Sequence, residues 1–356
     1  MVDYVALPSV TLIITQRERF SLTKPSLESI LADYAAYPFQ LIYVDGNSPT
    51  SVQHYLQRQA RRHAFTLIRQ ERYLRSNEAR NLALPMVTRS DYVVFIDNDV
   101  IVEPGWLKAL VDCAEAEGAG VVAPVVLQGQ PRSPTTEVHV AGIQTKFRRK
   151  RLGKRWFEQK QLLYGKRFCD VERTLRRMPV DSVEFHCLLV RRSYLDHVIL
   201  DEVFDTLASH TDFCFQIAAQ GGSIFLEPSS RVTFLNPRHI RVFTPDDLPF
   251  YRFKWDDPFV AKNFRHSVRK WNLDRKDPSI WAIWKWVISN RQIPAQLSTP
   301  KGHFPHQLLR ACRHPWCPSV LRMMLEQWVL ELTFPKTGIP SNLDVALNPS
   351  AKQPTT

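Results

Sequence analysis

Two periods of apolar residues take turns along the first third of the chain. Short β-prone runs at 10–14, 41–44, 65–68, 92–96 and 121–123 read as strands. Between most of them, segments at 26–36, 51–62, 76–84 and 106–117 carry helical spacing, the last introduced by Pro104 and Gly105. Alternation of strand and helix predicts an α/β fold: a mainly parallel, Rossmann-like sheet flanked by helices. Ligands of such sheets bind beyond the carboxyl ends of the strands, so the residues that close each strand carry the information. The first strand runs into Thr15, Gln16 and Arg17, the second into Asp45-Gly46-Asn47-Ser48-Pro49, and the fourth into Asp97-Asn98-Asp99. These ends are expected to converge on one edge.

From Val125 the pattern loosens. The run KFRRKRLGKR at 146–155 holds seven basic residues in ten and reads as a solvated loop, with a flexible arm over an anionic ligand as the functional alternative. Order returns at 183–190. The stretch LDEVFDTLASHTDFCFQIAAQGG then reads as a turn and a helix ending at Gly221, followed by short strands at 224–226 and 231–234. Beyond Thr244 the chain is Trp-rich and basic, with Trp281, Trp284, Lys285 and Ile288 at helical spacing. A final amphipathic helix carries Leu321, Met324, Leu325, Trp328 and Leu332. The expected division is 1–125 and 126–243 as two halves of one catalytic domain, 244–335 as a helical extension, and 336–356 as a disordered tail.

Net charge changes the picture more than length does. A balance of +12 over 356 residues asks for an anionic partner: nucleotide phosphates, acidic lipid or nucleic acid. No helix-turn-helix, zinc-finger or RNA-recognition signature is present, and no nucleic acid partner is expected. Six scattered cysteines, several within apolar runs, suit reduced thiols and a cytoplasmic setting. Cys312 and Cys317 lack a second ligand pair at zinc-finger spacing. The start MVDYVALPSV has no basic segment followed by an apolar one, and no apolar run approaches the ~20 residues of a membrane span, so a soluble or peripheral protein is expected.

Buried carboxylates need a compensating cation or donors. An Asp-x-Asp after a buried strand suits a hard divalent ion, because carboxylate oxygens are the ligands Mg²⁺ and Mn²⁺ prefer; such aspartates are also common turn formers. Asp45 has the chemistry to accept from a base N–H or a ribose hydroxyl, and Arg80 offers a planar fork to phosphate. A plain turn at Asp45-Gly46 and a surface ion pair at Arg80 are the alternatives.

Four stretches, VTLIITQRER, QLIYVDGNSP, RSNEARNLAL and DYVVFIDNDVIVEPGWLKAL, resemble in order and spacing the nucleotide-sugar half of family 2 glycosyltransferases with the GT-A fold. The resemblance covers residues 8–125 with specific motifs, continues more weakly to 235, and leaves the last third unexplained. It implies that Thr15 and Arg17 line the nucleotide pocket, Asp45 holds base or ribose, Arg80 with Asn81 sits near the diphosphate, Asp97 meets ribose or sugar, and Asp99 binds Mn²⁺ or Mg²⁺. Farther on the match bends. The family places a Glu-Asp pair ahead of Asp-Leu-Cys-Leu-Arg, whereas SHTDFCFQ puts Ser209 and His210 where the acidic pair should stand. The base is therefore His210, whose neutral imidazole a helix N-terminus favours, or Asp212, whose carboxylate alternatively caps the helix as part of a Ser-x-x-acid pattern. Phe234 stands where many relatives have a metal-binding histidine, and His239 is the candidate substitute.

The resemblance implies an inverting, metal-assisted hexosyltransferase. Its partners would be a nucleotide-sugar donor, UDP-linked by family frequency, and a carbohydrate or lipid-linked acceptor. The basic arm and tryptophans suit peripheral membrane contact, against the alternative that Trp281, Trp284 and Trp328 are core residues. The competing function is a non-catalytic nucleotide-sugar-binding or scaffolding descendant of the same fold, and after it a basic nucleic-acid-binding protein.

Overall fold

The structure is a computed structural model that describes residues 7–150, 153–205, 208–299, 302–314 and 317–339, without the side chains of residues 280 and 281. The chain divides into two compact units, 1–145 with 159–235, and 146–158 with 236–356. Among the described residues no helix is long and apolar enough to cross a membrane.

In the first unit the strands are β1 (Val10–Thr15), β2 (Gln40–Gly46), β3 (Thr66–Gln70), β4 (Tyr92–Asp97), β5 (Val100–Val102), β6 (Val121–Gln128), β7 (Glu137–Val140), β10 (Met178–Pro179), β11 (Cys187–Arg191) and β12 (Ile224–Phe234). Two further strands, β8 (Ile143–Arg149) and β9 (Arg155–Gln161), form a separate ribbon. The main sheet has the order β10-β12-β6-β11-β4-β1-β2-β3, with β5 paired to β12 and β7 to β6. The parallel pairs are β1 with β2 and with β4, β2 with β3, and β6 with β12.

Every residue of β1 and β4 is buried, because helices cover both faces of the sheet and leave no polar side to alternate with. Leu12, Ile14, Val94 and Ile96 pack on one face with α1 (Thr23–Ala32), α2 (Thr50–His63) and α4 (Trp106–Glu117), through Leu27, Ile30, Leu56, Trp106 and Leu110. Ile13, Val93 and Phe95 pack on the other with Ala79 and Ala83 of α3 (Ser76–Ala83) and with Phe213 and Ile217 of α7 (Ser209–Ala219). Two short helices, α5 (Phe168–Val171) and α6 (Arg192–Leu195), precede α7. The first helix starts at Thr23 rather than at residue 26, since Pro25 in a first turn removes no hydrogen bond that the helix would make.

Three features depart from the sequence reading. β11 runs antiparallel between β4 and β6, which brings its amino end to the carboxyl end of β4. The two short strands at 224–226 and 231–234 are one strand, β12, with a register shift between Glu227 and Arg231 where Pro228 has no N–H to offer the ladder. The basic run at 146–155 is not a plain loop but part of the β8–β9 ribbon, with residues 151 and 152 outside the described ones. Phe147 and Phe157, 5.2 Å apart, and Trp271, 5.4 Å from Phe157, give that ribbon an apolar side that its charge conceals.

The second unit contains α8 (Asp247–Lys254), α9 (Asp257–Lys270), α10 (Pro278–Arg291), α11 (Ile293–Leu297), α12 (Phe304–Ala311) and α13 (Ser319–Thr333). Asp256 and Asp277 cap α9 and α10 by accepting from Phe259 N and Ser279 N. Asp257 binds both Arg291 and Arg322, and Arg291 Nε lies 2.6 Å from Glu326, so a buried ion network ties α9, α10 and α13. Trp255 and Trp271 are buried, whereas Trp328 is 45% exposed and shares its face of α13 with exposed Leu321, Met324 and Leu332. Trp284 is half-buried against Phe264; the Trp281 side chain lies outside the described residues, as does the tail from residue 340.

Candidate active site

The tight connection from β4 to β5 presents Asp97, Asn98 and Asp99, all buried. Asn98 has a structural duty. Its amide donates to Arg19 O and Thr23 Oγ1, and its carbonyl accepts from Arg17 N at 3.0 Å, which fastens the connection to the loop after β1. The flanking carboxylates are thereby turned to a common side, where Arg17 Nε lies 3.5 Å from Asp97 Oδ2 and Arg17 Nη1 lies 3.6 Å from Asp99 Oδ2. Arg80 Nη2 approaches Asp97 Oδ1 at 3.2 Å from α3, and His186 Nδ1 lies 3.4 Å from Asp97 Oδ2.

The two aspartates are unlike. Burial opposes the Asp97 charge, but His186, Arg80 and Arg17 outweigh it and hold this carboxyl below its ordinary range. Asp99 is pushed up to about 6, by burial above all, against the pull of Arg17 and with the repulsion of Asp97 added. Neither Asp99 oxygen accepts a hydrogen bond among the described residues. A buried carboxylate without donors fits a divalent cation, and with Asp97 it offers the all-oxygen set that Mg²⁺ or Mn²⁺ takes. The Arg17 guanidinium, although desolvated, is held above its ordinary value by Glu18, Asp99 and Asp97.

Thr15 stands opposite Asp97 in the β1–β4 register, and its buried hydroxyl has no partner among the described residues. Asp45 closes β2 but is heavily committed: it accepts from Gln16 Nε2 (2.8 Å), Ser48 N (3.1 Å), Ser48 Oγ (2.9 Å) and Arg69 Nη1 (2.6 Å). Arg80 is fully buried rather than a surface residue. It donates to Asn77 Oδ1 and lies over the Phe185 ring at 3.9 Å. Asn81 donates its amide to Leu200 O and Glu202 Oε1.

His186 is a residue the sequence reading missed, with Glu184 and His139. His186 Nε2 lies 3.3 Å from Glu184 Oε2, and His139 Nε2 lies 3.1 Å from the same oxygen. Two groups among the described residues have the composition and spacing to hold a metal: Asp97, Asp99 and His186, and His139, Glu184 and His186. The available signal was Glu184-Phe185-His186 just ahead of the apolar run 187–190, the mirror of the polar cluster that closes β4. Phe234 forms one wall. Its ring stacks on His186 with centroids 4.1 Å apart, and the Arg17 guanidinium sits 4.4 Å from its centroid.

His210 and Asp212 occupy the first turn of α7. The expected capping pattern is not used: Ala208, in a left-handed conformation, is the N-cap, the Ser209 hydroxyl donates to Asp205 O, and Asp212 Oδ2 accepts from Gln216 Nε2 at 2.9 Å. Burial pushes the His210 imidazolium down, with Glu184 pulling the other way and His186 and Arg80 adding to it, so the ring is neutral near pH 7. Gln159 Nε2 lies 3.2 Å from His210 Nε2 and donates to Thr211 Oγ1. His239 is exposed, lies in the second unit and belongs to neither metal-compatible group.

The family model for glycosyl transferase family 2 matches residues 11–197 of the 356. The chain belongs to that family. This family 2 member is similar in fold to a crystal structure of GalNAc-T7 with UDP, GalNAc and Mn²⁺, at a TM-score of 0.55 and 12% identity over 92% of the present chain. It spans 56% of that protein's length. Among curated proteins none matches this sequence. The fold of the glycosyltransferase is thus GT-A, a mixed α/β sheet flanked by helices with a helical region after it.

Proposed function

We propose that this family 2 glycosyltransferase moves a sugar from a nucleotide-diphosphate donor, UDP-linked, to an acceptor hydroxyl with inversion. The observation that carries the reading is Asp99: a buried carboxylate without hydrogen-bond donors among the described residues, beside Asp97 and Arg17 at the carboxyl edge of β1 and β4. Asp99, with Asp97 beside it, would hold Mn²⁺ or Mg²⁺, and such an ion neutralises the charge that builds on a departing diphosphate. Arg17 lends a fixed positive charge to the same edge, and Thr15 contributes a hydroxyl that has no partner among the described residues. The GalNAc-T7 structure holds UDP and Mn²⁺, which supports the choice of nucleotide and ion.

His210 is the base in this reading, because its ring is neutral and only partly buried, whereas Asp212 is bound within its own helix by Gln216. The acceptor hydroxyl takes the position that the Gln159 amide holds against Nε2. His210→Ala should lower turnover about 10²- to 10⁴-fold, and Asp212→Asn less than about tenfold. Equal, small losses measured as sugar-transfer kcat in both variants would remove His210 from the role.

Thermal unfolding with a panel of nucleotide sugars, with and without Mn²⁺, tests the donor. Binding to the folded state alone raises the melting temperature, by mass action. A UDP-sugar with Mn²⁺ should give the largest rise, and no response to any donor would overturn the proposal. The exposed stripe Leu321, Met324, Trp328 and Leu332 on α13 favours a lipid-linked acceptor and a peripheral, cytoplasmic-face setting. Co-sedimentation with anionic vesicles, weakened in Trp328→Asp, is the expected result; equal sedimentation of both proteins would discard that part. No appreciable nucleic acid affinity is expected at physiological salt.

A further inference from the structure

Three ligand-bearing side chains from two segments, His139 on β7 and Glu184 with His186 just ahead of β11, meet around one oxygen, Glu184 Oε2. We propose that His139, Glu184 and His186 form a site for a divalent transition metal of the zinc class, separate from the Asp97–Asp99 pair. His139 Nε2 is 3.1 Å and His186 Nε2 is 3.3 Å from Glu184 Oε2, and the three ligand atoms lie within 4.8 Å of one another. With metal–ligand bonds of about 2.1 Å, neighbouring ligands stand roughly 3.0 Å apart at right angles and roughly 3.4 Å apart in a tetrahedron. The two distances to Glu184 fall within that window.

Each ligand is also held from behind, the arrangement that orients metal-binding imidazoles. Gln128 Oε1 lies 3.0 Å from His139 Nδ1, and the direction of that amide is fixed because its Nε2 donates to Glu137 Oε2 at 3.2 Å. A carbonyl oxygen at Nδ1 places the proton there and turns the Nε2 lone pair toward Glu184. Asp97 Oδ2 stands 3.4 Å from His186 Nδ1, an ion-pair approach without hydrogen-bond alignment, and its negative charge favours the proton on that nitrogen of the second imidazole. Gln161 Nε2 donates to Glu184 Oε1 at 2.7 Å, leaving Oε2 to face the histidines. Phe234, stacked on His186 and 5.2 Å from the His139 ring centroid, braces both rings.

Donor chemistry separates the two sites. Two imidazoles and one carboxylate suit Zn²⁺, Co²⁺ or Fe²⁺, while the aspartate pair, all oxygen, suits Mg²⁺ or Mn²⁺. Loading the histidine site would fix the His186 Nδ1–H on Asp97, so the ion would act as a brace for the neighbouring carboxylate. The assignment is independent of whether the chain transfers sugar, since its readout is binding.

The test uses the full chain stripped with chelator and titrated with Zn²⁺, and with Co²⁺ for its visible absorption. Wild type and Asp99→Ala should bind Zn²⁺ with similar affinity and give the same Co²⁺ band. His139→Ala and Glu184→Gln should lose at least about 100-fold in affinity and the band with it, and Gln128→Ala should lose about 10- to 100-fold. Zn²⁺ should raise the melting temperature of wild type and not of His139→Gln, a comparison that stands if the alanine variant folds poorly. Undiminished Zn²⁺ affinity in His139→Ala and Glu184→Gln would overturn the proposal, as would loss of Zn²⁺ binding in Asp99→Ala.

Discussion

Asp99→Asn should lose sugar transfer by at least about 10³-fold while making the metal-free protein more stable at neutral pH. The two effects have one cause. Asp99 is fully buried and its oxygens accept no hydrogen bond among the described residues, so its charge is useful only to a cation. Its folded pKa, about 6, lies above its ordinary 3.8 because burial, with Asp97 and Glu18 adding to it, outweighs the favourable pull of Arg17 and His186 on the charge. A carboxyl raised in this way contributes stability that is present below the ordinary value and lost as pH rises through about 6. Metal-free wild type should therefore melt at a lower temperature at pH 7 than at pH 5 as far as this group decides it. Asparagine, which never ionises, removes that slope and should melt roughly 2–6 °C above wild type at pH 7. Differential scanning calorimetry in chelator at the two pH values reads this directly. A variant less stable than wild type at pH 7 would mean that Arg17 already satisfies Asp99, and the case for a cation there would fail.

Arg80→Ala should be the most destabilising single change in the site, by about 3–5 kcal/mol, because removing one member of a buried ion pair strands the other. Arg80 is 2% exposed, bound to Asp97 and Asn77, and stacked over Phe185, so alanine removes a charge, two hydrogen bonds and a packed plane at once. Arg80→Met keeps much of the packing and should recover part of the loss. The pair Arg80→Met with Asp97→Asn should be less destabilised than the sum of the single changes, since the two residues touch. Urea midpoints of the four proteins measure the coupling. Strict additivity would show that Asp97 relies on Arg17 and His186 instead.

What the chain discloses before folding is uneven for physical reasons. β1, β2 and β4 were legible because strands buried on both faces are continuous apolar runs, and their polar ends at Thr15, Asp45 and Asp97–Asp99 stand out against them. The β8–β9 ribbon was not, since seven basic residues outweigh Phe147 and Phe157 in any local average although those rings decide the packing. His139, Glu184 and His186 were invisible for a different reason. They meet only through the antiparallel placement of β11 beside β4 and of β7 beside β6, and long-range register has no local signature. Asp45 illustrates the reverse limit: its position was legible, but its four internal donors were not. Arg69, a neighbour across β2 and β3, supplies one of them.

The reversed direction of β11 also bears on how such a protein diverges. A strand that enters the sheet at the reactive edge anchors the long segment ahead of it there, while β1, β2 and β4 are fixed by pairing with one another. Away from His139, Glu184 and His186, that segment can lengthen, shorten or change its chemistry while the tips of β1, β2 and β4 keep their pairing. With the donor held at those tips, as proposed, new acceptor preferences would arise by rewriting residues between β6 and β11 while β1, β2 and β4 stay unaltered.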